Sequence, residues 1–136
     1  MSANLSNSIR FLPVPPAASA TRVELKFDCE ASTQVNDIVY QDSLNANKVL
    51  SNTNNTQVNA SIGVVVRKPT TTTCVVLVLG INDGYTGLSI GSKIFLATDG
   101  TTTTTKPTSG YLQTLGTAVS TTQVFFLPNN QRVLQV

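Results

Sequence analysis

Val23-Glu24-Leu25-Lys26-Phe27-Asp28 is the stretch on which the fold class turns. Apolar and polar residues alternate through it with a period of two, which describes a strand with one dry and one wet face rather than a helix. The same signal recurs outward from it. Val35 to Tyr40 reads as a short strand, followed by a polar turn region, Asp42 to Asn47, and Lys48 to Leu50; Asn52 to Asn55 reads as a loop. Ala60 to Val66 is a further strand. Val75 to Leu79 is so continuously apolar that both its faces are expected to be covered. Asn82-Asp83-Gly84 and Asp99-Gly100 mark turns, because Asn, Asp and Gly accept the positive φ that tight turns demand. Ile94 to Leu96, Tyr111 to Leu115 and Val124 to Leu127 complete the set. Helical periodicity is missing throughout, and 20 threonines with 16 valines favour extended backbone. The expectation is an all-β chain, a small β-barrel or sandwich of short antiparallel strands. The threonine runs Thr70–Thr73 and Thr101–Thr105 fit hairpins in that scheme; the second directly follows the Asp99-Gly100 turn.

The chain also echoes itself. Val35-Asn36-Asp37-Ile38-Val39-Tyr40 aligns with Ile90-Gly91-Ser92-Lys93-Ile94-Phe95 at an offset of 55, and Ser61-Ile62-Gly63-Val64-Val65 aligns with Thr114-Leu115-Gly116-Thr117-Ala118 at 53. Each copy reads as a turn, a strand ending in an aromatic, a variable hairpin and an apolar strand containing glycine. Two such halves would make one barrel with a two-fold internal pseudo-repeat, each covering edges of the other.

Composition narrows the function. At 136 residues the chain has room for one domain. Charged residues are 12% of it, about half the usual share of roughly 25%. Thr, Ser and Asn supply 44 residues of uncharged polarity instead. Histidine, the commonest general base and metal ligand, does not occur. The net charge is +2 and the basic residues stand singly except for Arg67-Lys68, a solvated strand end, so no nucleic-acid partner is expected. The longest apolar runs have strand length, so no membrane segment is expected, and the small-residue stretch Ala17–Ala20 follows too many prolines to read as a targeting signal. Cys29 and Cys74 have no C-x-x-C spacing and read as free, buried thiols.

Two constellations invite a chemical reading and fail it. Gly87-Leu88-Ser89-Ile90-Gly91 matches the nucleophile-elbow pattern, but that motif needs a helix after the serine and a histidine to take its proton. The glycines are read as a turn into the Ile94–Leu96 strand. Asp28 and Glu30 flank Cys29 on an apparent strand, where alternate residues share a face; an exposed polar edge is the preferred reading over a cation site. No catalytic residue, cofactor site or metal site is assigned, and the chain is expected not to be an enzyme.

Three segments follow: an extended N-terminal arm over 1–21, a β-barrel domain over 22–128 and a C-terminal tail over 129–136. Pro13, Pro15 and Pro16 exclude a helix interior from the arm. Beside them stand Ile9, Phe11, Leu12, Pro13 and Val14, read either as part of a disordered tail or as contacts to a neighbouring subunit or other partner.

The order of segments resembles that of small β-barrel domains from tailed-bacteriophage structural proteins, the capsid decoration (cement) proteins and phage fibre modules. Asp28-Cys29-Glu30-Ala31 followed by Val35-Asn36-Asp37-Ile38-Val39-Tyr40 is similar to the opening of that pattern, where a V-G-D turn precedes a strand ending in an aromatic. Gly63-Val64-Val65-Val66 resembles its central strand. Gly91 to Leu96, Asp99-Gly100, Lys106-Pro107, Gly110-Tyr111 and Leu115 to Ala118 resemble its closing half. The likeness spans residues 22–128; Asn36 stands where the pattern has glycine, and asparagine tolerates the same left-handed backbone. It implies a virion protein on the capsid surface that binds the major capsid protein or other virion proteins and stabilises the assembled shell. It further implies a homo-oligomer, with trimers at local three-fold positions. A head- or tail-fibre anchor or collar component is the alternative. A carbohydrate-binding β-module is a third reading, disfavoured by the absence of tryptophan.

Overall fold

The computed structural model describes residues 22–129 and 131–135. The expected arm, with Ile9, Phe11, Leu12, Pro13 and Val14, lies outside the described residues. Within them the chain is all-β, with eleven strands and no helix.

The strands are β1 (Val23–Asp28), β2 (Ile38–Gln41), β3 (Val49–Ser51), β4 (Ser61–Thr70), β5 (Thr73–Asn82), β6 (Lys93–Leu96), β7 (Thr102–Thr103), β8 (Tyr111–Leu112), β9 (Thr114–Ala118), β10 (Val124–Phe126) and β11 (Val133–Leu134). Nine of them form one curled antiparallel sheet in the order β3-β2-β4-β5-β10-β9-β6-β7, with β1 added to β5. Both threonine runs lie in hairpins: the first joins β4 to β5 through Thr70↔Thr73, and the second supplies β7, which pairs with β6 after the turn at Ala97–Thr101. The expected Val35–Tyr40 strand starts later, at Ile38, because Gln34 to Asp37 form a turn with Asn36 at φ 78°. The expected Tyr111–Leu115 strand is split into β8 and β9 at Gln113.

The strand order is a palindrome about the junction of β5 and β10. β2, β3, β4 and β5 on one side correspond to β6, β7, β9 and β10 on the other. The correspondence reaches individual pairs. Val39 opposes Gly63 and Tyr40 opposes Ser61 across a bulge that leaves Ile62 over. Ile94 opposes Gly116 and Phe95 opposes Thr114 across a bulge that leaves Leu115 over. Loop bonds repeat too. Asn36 N–H donates to Val65 O at 2.8 Å and Gly91 N–H to Ala118 O at 2.7 Å; Asp42 N–H donates to Lys48 O at 2.8 Å and Ala97 N–H to Thr101 O at 2.7 Å. These residue pairs and loop bonds all carry the offset of 55 or 53 found in the sequence, whereas β5 and β10 correspond at an offset of 48.

The two lobes join through β5, which is shared. Its residues from Thr73 to Leu79 pair with β1, and from Gly80 to Asn82 the same edge pairs with β10. Side chains alternate accordingly. Val39, Val65 and Val76 face one core with Cys29, Val49 and Cys74. Ile38, Val64 and Leu77 point the other way, into a second core with Ile94, Leu96, Leu115, Ala118, Val124 and Phe126. The central strands are therefore covered on both faces, which is why their sequence is a continuous apolar run. At one end of the first lobe the sheet curls until Asp28 forms a parallel bridge to Lys48, with Asp28 N–H donating to Asn47 O at 2.8 Å.

Gly63 and Gly116 hold equivalent places because a side chain fits at neither. A methyl group on Gly63 would collide with the carbonyl oxygen of Leu77, and one on Gly116 with that of Phe125. Both obstacles are strand backbone, which cannot swing aside. Gly63→Ala and Gly116→Ala are each expected to lower the unfolding free energy by about 2–3 kcal/mol in urea denaturation. Two near-neutral results would show that the sheet is not packed this closely.

Candidate functional site

Two features stand out at the start of β4: an apolar groove and, beside it, a buried polar node. The groove, about 440 Å3, is lined by Leu25 of β1, Ala60, Ser61 and Ile62 around the start of β4, Val78 of β5, and Pro128 beyond β10. It is the open end of the first core. Ile62 and Val78 are half-buried against that core, while Val23 and Leu25 remain 39% and 45% exposed. Beyond Asp28, the outer edge of β1 pairs with no strand among the described residues. A groove of this kind offers an apolar surface that the side chains of an extended segment could fill.

The node is centred on Gln113, the buried residue between β8 and β9. Its Nε2 donates to Ser61 O at 2.8 Å and Asn129 O at 2.7 Å; its Oε1 accepts from Ser61 N at 2.9 Å and Arg132 Nε at 3.0 Å. One side chain thus satisfies four polar groups and ties the start of β4 to the end of the chain. Arg132 is brought there by β11, which pairs with β8, so residues 131–135 are built into the body. Its Nη2 donates to Ser61 Oγ at 3.0 Å and its Nη1 to the carbonyl of Gln57. Burial pulls the Arg132 guanidinium below its ordinary value. Asn52 Nδ2 also donates to Ser61 Oγ, at 2.6 Å, while its buried Oδ1 has no partner among the described residues. With no carboxylate or imidazole in it, the node is a brace.

The motifs singled out in the sequence are not brought together here. Ser89 is exposed in a turn whose backbone closes from Ser92 N–H to Ser89 O at 3.0 Å, and the strand β6 follows it. The Asp28–Glu30 reading changes, since β1 ends at Asp28 and Glu30 lies in the following turn, its carboxylate 3.8 Å from Lys48 Nζ. Arg67 Nη2 donates to Glu24 Oε1 at 2.8 Å. That bond, with Arg22 beside it, holds the Glu24 carboxyl below its usual value. Cys29 and Cys74 are free and buried side by side, and burial together with the neighbouring Cys29 sulfur pushes the Cys74 thiol up to about 12. No group of three His, Cys, Asp or Glu residues among the described residues could hold a metal ion.

The second lobe has a hollow of its own, about 460 Å3, between the loop Gly84–Leu88 and the threonines of β7. The same loop lays Tyr85 and Leu88 on the second core, with the Tyr85 and Phe126 rings 6.4 Å apart. Burial raises the Tyr85 hydroxyl above its ordinary value, and Asn82 Nδ2 donates to it at 3.1 Å.

Sequence reasoning missed both the groove and the node. Ile62 betrays itself only as the extra residue of a bulge, and Gln113 only as a polar residue interrupting an apolar run. No protein-family model, curated protein or solved structure matches the chain.

Gln113→Ala would leave Ser61 N, Ser61 O and Asn129 O without their side-chain partner in a buried setting. At about 1–3 kcal/mol for a buried group left unsatisfied, a loss of about 3 kcal/mol is expected in chemical denaturation. An effect under about 0.5 kcal/mol, the scale of an ordinary surface substitution, would show that water replaces the amide and that the node braces nothing.

Proposed function

We propose that this protein is a non-enzymatic structural component of a tailed-bacteriophage virion that decorates the outside of the head. Its partner is the major capsid protein, and it acts as a homo-oligomer. The observation that carries this reading is how the resembling segments are distributed over the fold. The Val35-Asn36-Asp37 turn, the Gly63 strand, the Gly91 turn with β6, and the Leu115–Ala118 strand occupy matching positions in the two lobes. Asn36 adopts the positive φ that the glycine of the pattern would supply, as Gly91 does in the second lobe. A likeness built on scattered turn residues would not be expected to sort itself onto one pseudo-symmetric frame.

The surface chemistry is in keeping with this. Exposed turns and strand ends are made polar by Thr, Ser and Asn, with charged residues at only 12% of the chain. Copies that pack side by side over a shell repel one another less when they carry little charge. The mechanism is mass action: a protein that binds the assembled shell and not its separate subunits stabilises the shell by its own binding free energy.

The test is a count of copies in purified particles by quantitative mass spectrometry, with heat stability of heads measured with and without the protein. Decoration predicts a copy number that scales with the capsomers, and stripped heads that open at lower temperature and recover when the protein is added back. A copy number matching a single vertex or the tail would contradict decoration and point to an anchor or collar.

A further inference from the structure

The two lobes repeat each other in backbone but not in cover. Ile62 and Leu115 are equivalent bulge residues, and Val78 and Phe126 are equivalent because Val64 opposes Leu77 as Thr117 opposes Phe125 in the register of each pair of strands. Leu115 and Phe126 are 0% exposed. They lie under Ile38, Val64 and Leu77 from the back of the first lobe, with Tyr85 and Leu88 from the loop above. Among the described residues, Ile62 and Val78 have no such cover. They are half-buried on the floor of the groove, next to Leu25 and an unpaired strand edge. In the second lobe these positions are sealed; in the first, the described residues leave them open.

We propose that residues 9–14 of this chain's own N-terminal segment seat in the groove beside β1 and supply the missing cover. The segment joins the body at Arg22, immediately before β1. Leu25, on the groove wall, is three residues further on, about 10 Å along the strand. Residues 15–21 make a link of seven residues, which spans up to about 23 Å when extended. A return along the outer edge of β1 is therefore well within reach. The chemistry matches: Ile9, Phe11, Leu12 and Val14 offer four apolar side chains to an apolar floor, and the only charge between them is Arg10. Pro13 has no N–H to give, which a strand lying at the edge of a sheet tolerates. Because the segment is tethered, its effective concentration at the groove is in the millimolar range, so at micromolar protein it outcompetes the same segment of a second copy. Side chains that read in the sequence as contacts to a neighbour are in this way assigned to the chain's own first lobe.

Paired cysteines in the full chain test this. Phe11→Cys and Leu12→Cys are each combined with Leu25→Cys, and each is combined with Ile90→Cys, an exposed residue of the second lobe, as a control. Under mild oxidation at micromolar protein, at least one Leu25 pair should form a disulfide within the monomer in most molecules, and the Ile90 pairs should not. Replacing Phe11 and Leu12 together by serine should lower the melting temperature by several degrees. Absence of a cross-link at both Leu25 pairs would overturn the proposal. So would a cross-link found in dimers and rising with protein concentration, which would mean that the segment of a second copy fills the groove. Equal cross-linking to Ile90 would overturn it as well, since the segment would then have no preferred seat.

Discussion

Leu77 and Val64 sit back to back with Val76 and Val65, and the rest of the structure depends on that arrangement. The first pair points into the core of the second lobe; the other pair points into the core of the first. All four are 0% exposed. Each such side chain contributes about 1.5–3 kcal/mol when fully removed from water, so the four together rival the net stability of a domain of this size. The hydrophobic effect thus acts on both faces of one strand pair. Neither lobe has a separate wall on that side: the sheet of the first is the cover of the second.

That dependence explains where the molecule is closed and where it is open. The second lobe borrows its cover from Ile38, Val64 and Leu77 and adds Tyr85 and Leu88. The first lobe lends its back and among the described residues has no lender in turn, so its far end is an open groove at Leu25, Ile62 and Val78. Gln113 and Arg132 fasten the edge of that opening by tying the start of β4 to the last strand. An asymmetric burden on a symmetric frame thus leaves an apolar groove at that end of the first lobe among the described residues.

Much of this was legible in the sequence, for identifiable reasons. The period of two at Val23–Asp28 and the apolar run at Val75–Leu79 both mark strands, but only the second is buried; Val23 and Leu25 of β1 remain exposed rather than forming a dry face. The internal echo at offsets 55 and 53 was readable because turn geometry and close packing constrain the same positions twice: Asn36 and Gly91 at positive φ, Gly63 and Gly116 against strand carbonyls. β2 starts later than the β-branched Val35 suggests, because the bend is set by the left-handed Asn36 after it. The free thiols at Cys29 and Cys74 were legible from spacing. The groove was not, because exposure at Ile62 and Val78 depends on what lies above them, which strand periodicity does not encode. Nor was the node, since Gln113, Ser61 and Arg132 are far apart in the chain and meet only once the strands are ordered.

The central claim is that one strand pair serves both cores, so that the lobes are a single cooperative unit. Native-state hydrogen exchange in wild type and in Leu77→Ala measures it directly. The account predicts that the slowest amides of β4 and β5 and those of β9 and β10 open with one common free energy, and that Leu77→Ala lowers protection in both lobes by the same amount. Protection lost in the second lobe alone, with the first unchanged, would contradict it.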